Sequence, residues 1–159
     1  MTVDLTEAQR LVEALNRDYV HCIDDDRLEE WPALFTADGR YAITTRENVA
    51  RGLPVGVMTC DSPGMMQDRV MALRKANIYE AHTYRHLISA VRVTGRENGV
   101  WRAEAGYAVI RTMQEGDMAI FSAGKYVDRI AIADGAAKFK ERIVIADSHR
   151  IDTLIVIPL

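Results

Sequence analysis

Apolar residues in the first part of the chain recur every three or four positions, which is the spacing of one face of an α-helix. Either Asp4 or Thr6 is a suitable N-cap, because a side-chain oxygen can accept from the free N–H groups of the first turn. The pattern therefore predicts a helix over residues 5–23. Its apolar face is formed by Leu5, Ala8, Leu11, Val12, Leu15, Tyr19, Val20 and Ile23.

Shorter patterns follow this helix. The run from Asp24 to Asp26 interrupts the apolar stripe, and we expect Asp26 to cap a second, short helix that ends at Leu34. Residues 37–39, which read Ala-Asp-Gly, are typical of a turn. The alternation of polar and apolar side chains over residues 40–45 then predicts a strand.

The next region changes from irregular to helical. Glycine and proline recur over residues 48–62, so we expect an irregular segment with one short extended piece over residues 55–59. Helical spacing returns over residues 65–78. The inner face of this second long helix is predicted to consist of Met66, Val70, Leu73 and either Ala76 or Asn77.

From Tyr84 onward the apolar period becomes the two-residue period of β-strands. Helices followed by a meander of long strands predict an α+β fold, here one domain over residues 1–159. We expect a curved antiparallel sheet that forms a cone, with the N-terminal helices covering its concave face. The apolar C-terminal residues 154–159 are expected to bury against a surface of the domain. The predicted strands are Tyr84–Val93, Val100–Met113, Met118–Ile132 and Ala137–Ile145.

Composition narrows the class of protein. Of the 159 residues, 48% are hydrophobic and 27% are charged, which is the balance of a globular domain. The net charge of -3 gives no bulk attraction to nucleic acid. No apolar run approaches the roughly 18 residues of a membrane-spanning helix, and the first residues lack the pattern of a signal peptide. We therefore expect a cytoplasmic protein that binds neither nucleic acid nor membrane.

The densest group of polar side chains is His82, Tyr84, Arg85 and His86. In a strand, the two histidines and Tyr84 point to one face and Arg85 to the other. The histidines are then about 13 Å apart, too far to chelate one metal ion without another ligand. Either one histidine acts as a general base oriented by an aspartate such as Asp24, or the group makes structural and interface hydrogen bonds. The residues alone leave both interpretations open.

The chain also contains an ordered set of short motifs. His21–Thr36, completed by Asp38 and Tyr41, has the pattern of a helix pair followed by W…LFT.D..Y. Further along, Asp68–Leu73 gives DRV..L, and Arg85–Val91 gives RH…S…V. The first of these lies in a predicted helix and the second in a predicted strand.

Two more motifs complete the set: F..G.Y.D at Phe121–Asp128, and ER.V..D at Glu141–Asp147. Together the motifs resemble the small-subunit family of Rieske-type aromatic-ring-hydroxylating oxygenases over about residues 11–159. Many members of that family place Gly, Trp and Pro between the DRV helix and the RH strand. The different segment at residues 74–84 is similar to the branch that acts on carboxylated aromatics.

The resemblance implies a non-catalytic structural subunit with the cone-like, cystatin-like fold of nuclear transport factor 2. It implies a large partner subunit that carries a Rieske [2Fe-2S] cluster and a mononuclear Fe(II), and no cofactor, metal or catalytic residue in this chain. Three large and three small subunits are expected, with the small subunits forming a trimer. The implied process is aerobic degradation of an aromatic carboxylate such as salicylate, anthranilate or terephthalate. Candidate interface residues are Arg69, Tyr84, Arg85, His86, Arg92 and Leu159.

Two other hypotheses remain. The chain is a free-standing cone-fold dehydratase or isomerase in which His86 or His82 is the base and Asp24 orients it, or it is a binding module with a cavity and no acid–base pair. A solvent-open cavity containing a His–Asp pair would favour the enzyme. A cone filled by aliphatic side chains would count against it.

Overall fold

The chain folds into helices packed on one long, curved sheet. The computed structural model describes residues 2–54, 56–76, 78–151 and 155–159. The helices are α1 (Leu5–Asp24), a 3₁₀ helix (Leu28–Leu34), α2 (Arg46–Ala50) and α3 (Pro63–Lys75). The strands are β1 (Phe35–Thr45), β2 (Met58–Cys60), β3 (His82–Glu97), β4 (Val100–Met113), β5 (Met118–Ala133) and β6 (Ala136–Ala146).

The strand order in the sheet is β2-β1-β6-β5-β4-β3. The α+β class and the helix-covered sheet are confirmed, but the sheet is mixed and not wholly antiparallel, because β1 and β6 run parallel. The reason is the path of the chain. The meander begins at the opposite edge with β3, and its fourth strand, β6, reaches β1 running in the same direction.

Helix α1 covers the concave face of the sheet, where it lies against β3 and β6. Asp4, and not Thr6, is the N-cap: its carboxylate accepts from the Glu7 N–H at 2.8 Å. The apolar stripe of α1 is buried as predicted, apart from Leu5, which is exposed, and Val20, which is partly buried. None of the helices among the described residues is long and apolar enough to span a membrane.

Several local predictions are wrong or incomplete. Asp26 does not cap the 3₁₀ helix: its φ is 57°, its carboxylate accepts from Arg74, and the cap position is Arg27. The expected turn at residues 37–39 lies inside β1, which begins at Phe35 and shifts register before Arg40. In that bulge, a Cβ on Gly39 would lie 2.6 Å from Cβ of Phe35, so the close approach requires glycine.

The helical and irregular regions also differ in detail from the prediction. Residues 46–50 form α2 inside the segment expected to be irregular, and the extended piece is confined to β2. Met66, Val70 and Leu73 line the buried face of α3 as predicted. Ala76 is exposed at the end of that helix. Val55 and Asn77 lie outside the described residues.

The concave face of the sheet, α1 and the 3₁₀ helix enclose one core that is rich in aromatic rings. Residues 155–159 of the C-terminal segment bury against it as expected, while residues 152–154 lie outside the described residues. Because large rings bury the most apolar area, they supply most of the packing in a cone of this size. The largest fully buried side chains include Trp31, Arg142, Tyr19, Tyr41, Tyr126 and Phe139.

Candidate functional site

The centre of the cone holds a buried ion pair. The Arg142 guanidinium donates from Nε to Asp128 at 2.9 Å and from Nη2 to the second Asp128 oxygen at 2.8 Å. It also donates to the side-chain oxygen of Asn16 at 2.6 Å. Three aromatic rings surround the central guanidinium carbon of Arg142. The distance from that carbon to the ring centroid is 3.9 Å for Tyr126, 4.1 Å for Phe139 and 4.4 Å for Tyr19. The middle of the cone is therefore occupied by the protein's own side chains.

Burial and pairing have opposite effects on the pKa values of Arg142 and Asp128. Burial alone lowers the pKa of Arg142, but Asp128 more than offsets this effect and holds the pKa above its usual range. Burial raises the pKa of Asp128, and the two charge-assisted bonds from Arg142 oppose that rise. Sequence reasoning did not identify this pair. The signal was present, because the two-residue period places Asp128 and Arg142 on the inner face beside Tyr126 and Val144.

A second buried pair joins the end of α1 to β3. Nδ1 of His86 lies 2.6 Å from one Asp24 oxygen, and the His86 backbone N–H donates to the other at 2.8 Å. The two side chains are 0% and 1% exposed, and Nε2 of His86 has no hydrogen-bond partner among the described residues. The predicted pairing of His86 with Asp24 is therefore present. A carboxylate that holds one ring nitrogen in this way is the arrangement of an oriented general base.

The surroundings of this pair are packed with rings. The His86 ring meets Tyr19 at 6.4 Å and Tyr84 at 6.1 Å between centroids, both edge to face. His82 lies apart, with Nδ1 2.7 Å from the carbonyl of Glu80. A cavity of about 30 Å³ lies elsewhere in the cone. Its volume is that of about one water molecule, and neither His86 nor Asp24 lines it.

The six predicted interface residues do not form one surface. Three of them are buried within the chain itself: Tyr84, His86 and Leu159. A partner subunit would therefore contact very little of their side chains. Arg69 is half-buried and donates to the carbonyl of Ile155 at 3.4 Å. Arg85 and Arg92 are exposed on the convex face of the sheet, where Arg92 pairs with Glu104 at 3.3 Å. Their role in an interface remains a prediction.

Sequence reasoning missed an apolar area on that convex face. Leu87, Met118 and Ile120 are 54%, 67% and 75% exposed, although they stand in the middle or at the start of long strands. The strand register places Arg85 opposite Ile110, and Ile110 opposite Ile120, on the same face. We call this set the outer patch: Arg85, Leu87, Ile110, Met118 and Ile120. The signal in the sequence was apolar residues at positions that should face solvent.

The described part of the chain contains no group of three His, Cys, Asp or Glu side chains that could hold a metal ion. The two cysteines, Cys22 and Cys60, are free and buried. Burial raises the pKa of the Cys22 thiol to about 11, so it carries a proton at neutral pH.

Comparison with known proteins identifies the family of this chain. A family model described as "Ring hydroxylating beta subunit" matches residues 19–153. The chain is 40% identical to the anthranilate 1,2-dioxygenase small subunit of Burkholderia cepacia, over 91% of this chain and 90% of that protein. It is 38% identical to subunit beta 1 of the terminal oxygenase component of terephthalate 1,2-dioxygenase from Comamonas sp, over 93% and 96% of the two chains.

A solved structure from Novosphingobium aromaticivorans is similar over nearly its whole length. It is described as the beta subunit of an aromatic-ring-hydroxylating dioxygenase. It is 47% identical to this chain, the TM-score is 0.88, and the match covers 97% of this chain and 98% of that one. The agreement extends from sequence motifs to the complete path of the backbone.

Proposed function

The chain belongs to the ring hydroxylating beta subunit family, and from that premise we propose that it is a non-catalytic scaffold within an aromatic-ring-hydroxylating oxygenase. The observation that carries the proposal is the filled cone. Arg142, Asp128 and three aromatic rings occupy the space in which a substrate would otherwise sit. A small-molecule site normally needs a concave space of a few hundred Å³.

The partner we propose is a large subunit that carries a Rieske [2Fe-2S] cluster and a mononuclear Fe(II). The names of two relatives support the partner subunit, because they describe a small subunit and a beta subunit of a terminal oxygenase component. We propose three large and three small subunits, a trimer of the small subunits, and a cytoplasmic location. The outer patch is the surface we assign to the large subunit, because it combines the exposed apolar side chains of Leu87, Met118 and Ile120 with the charge of Arg85.

The proposed substrate class is an aromatic carboxylate of the salicylate, anthranilate or terephthalate type. Its support is the identity of 38–40% to subunits of anthranilate and terephthalate dioxygenases. Each of those two molecules is a benzene ring that carries a carboxylate. In this proposal, selection among them belongs to the large subunit, since the small subunit does not touch the reacting ring.

A free-standing dehydratase or isomerase is the second candidate, favoured by the 2.6 Å contact between His86 and Asp24. The packed rings around His86 count against it, although the criterion stated above was a cone filled by aliphatic side chains and these rings are aromatic. In the scaffold proposal the pair only fastens the end of α1 to β3.

A His86→Gln variant in the assembled oxygenase tests whether His86 takes part in catalysis there, which the scaffold proposal excludes. The scaffold proposal predicts that turnover per iron stays close to that of the unaltered assembly. General-base catalysis typically contributes about 10²–10⁴-fold. A loss of that size in an assembly of normal mass and iron content would show that His86 is catalytic. Arg102→Gln, on the exposed face of β4, is the matched control.

A further inference from the structure

The last described residues, 155–159, are buried without being part of a helix or a strand. Ile155 and Val156 are each 5% exposed and Leu159 is 1% exposed. The segment borders one gap that Trp31 and Val70 also line, and a second gap that Ile43 and Phe121 also line. We call residues 155–159 the strap.

Two tyrosine hydroxyls converge on a single oxygen of the strap. Tyr19 and Tyr41 donate to the Leu159 carbonyl at 2.5 and 3.1 Å. The Leu159 N–H donates back to the Tyr41 hydroxyl at 3.0 Å. Burial raises the pKa of both phenols, so they stay protonated and act as donors. Two fixed donors facing one acceptor inside an apolar space are what a ligand site provides.

The strap is held less firmly than the strands around it. With the other described residues, the strap makes one further hydrogen bond besides those at Leu159, from Arg69 to the Ile155 carbonyl at 3.4 Å. β6, by contrast, pairs with strands along both of its edges. Packing around the strap is also incomplete, with gaps of about 30 Å³ beside Ile155 and about 10 Å³ beside Val156. Segments with few backbone hydrogen bonds open at a lower free energy than core strands.

We propose that the strap is an internal ligand that occupies a binding site within the cone. When the strap leaves, this site takes a small apolar molecule that carries one acceptor oxygen, a carbonyl or a carboxylate. Ile43 and Phe121 form apolar walls for the ring or chain of that molecule. The hydroxyls of Tyr19 and Tyr41 bind its oxygen in place of the Leu159 carbonyl. The site shares Tyr19 with the rings packed around His86, and it lies on the opposite face of the sheet from the outer patch.

Hydrogen exchange on the unaltered chain tests whether the strap opens. We expect the amides of Val156 and Leu159 to exchange about 100-fold faster than that of Val144 in β6, although all three residues are buried. Exchange of the strap and of Val144 at similar rates would overturn the proposal, because the site would then open only with the whole sheet.

Ligand binding tests the chemistry of the site in the full chain. Leu159→Asp would place an unpaired charge in the core and so expel the strap. The probe is acetophenone, and its matched control is ethylbenzene, which has a similar shape and no acceptor oxygen. We expect acetophenone to bind this variant about 2–10-fold tighter than ethylbenzene, and Tyr41→Phe in the same background to reduce that preference.

Equal affinity for the two probes, or a preference that Tyr41→Phe leaves unchanged, would overturn the assigned donors. Should Leu159→Asp fail to fold, the exchange rates of the unaltered chain decide the proposal alone. Leu5→Asp, at an exposed position on α1, controls for the added charge.

Discussion

Arg142 determines which side chains the centre of the core must contain. Its charge cannot be removed at ordinary pH, so the fold must supply a partner. Asp128 supplies two bonds, Asn16 a third, and three ring faces surround the cation. Buried ion pairs of this kind contribute little net stability when complete, but breaking one leaves an uncompensated charge. Substituting either member of the pair is therefore costly. The pair also fills the space that a catalytic cone would keep open.

Arg142→Met is expected to destabilise the chain by about 3–5 kcal/mol, because Asp128 then remains buried and unpaired. Replacing both residues, with Met at 142 and Leu at 128, is expected to recover most of that loss. Denaturant unfolding measures both. The control is Arg102→Met, whose exposed pair with Glu97 at 3.4 Å is worth at most about 1 kcal/mol. Equal losses for Arg142→Met and the control would contradict this account.

The buried tyrosines predict a sharp alkaline transition. Burial raises the pKa of Tyr107 to about 12, and it raises the pKa of Tyr19, Tyr41, Tyr84 and Tyr126 above their usual range. An unfolded tyrosine loses its proton near pH 10. The stabilisation is thus complete below about pH 10 and is lost as the pH rises through the folded-state values.

We expect the buried phenolates to appear only as the chain unfolds, above about pH 10. Phenolate absorbance and circular dichroism, recorded during one titration, should change together. Ionisation of most tyrosines near pH 10 with the circular dichroism unchanged would show that the aromatic core is open to water.

At the scale of the elements, Gly124 explains one position of the F..G.Y.D motif. A Cβ at this residue would lie 2.0 Å from the Ile145 carbonyl oxygen, which belongs to the backbone of β6 and cannot move aside. Gly124→Ala is therefore expected to push β5 from β6 and to cost at least about 1–3 kcal/mol. Thermal unfolding measures the loss.

Gly64→Ala is the matched control for this substitution. Gly64 lies in α3, and the nearest atom to its added Cβ, the Ser62 hydroxyl, is 3.6 Å away. Alanine also favours a helix over glycine by about 1 kcal/mol. The control should therefore be neutral or stabilising. A Gly124→Ala chain as stable as the original would mean that the two strands separate at no cost.

The sequence predicted the elements whose signal is local. Both bounds of β4 agree with the prediction, because alternation and turn residues define that strand without help from the rest of the chain. Asp26 differs because Arg74, far away in sequence, takes its carboxylate. Residues 37–39 were read as a turn because they lie in a bulge of β1, and β1 continues past them only by pairing with β6, about a hundred residues later.

The candidate site was predictable only in part. His86 and Asp24 were singled out as an acid–base pair, and they do meet. Whether the pair could act in acid–base catalysis was not predictable from the sequence, because this depends on whether rings from α1 and β3 fill the space next to it. Arg142 and Asp128 were recorded only as members of motifs, since charged side chains rarely occupy the centre of a core.

At the scale of the whole molecule, we expect the large subunit to bind at the outer patch. Ile120→Arg would bury an unpaired charge in the proposed interface with the large subunit, and it should weaken co-purification by about tenfold or more. The control is Val49→Arg, because Val49 is 51% exposed on α2, outside the outer patch. Equal recovery of the large subunit with both variants would exclude the outer patch as the interface.

The most direct test of the scaffold account is to measure mass by light scattering, and iron content, for this chain alone and after co-expression with the large subunit. The account predicts that iron and hydroxylation of an aromatic carboxylate appear only in the co-purified material, at a mass of three copies of each chain. A lone chain that hydroxylates the substrate, or one that remains a monomer and binds no large subunit, would contradict it.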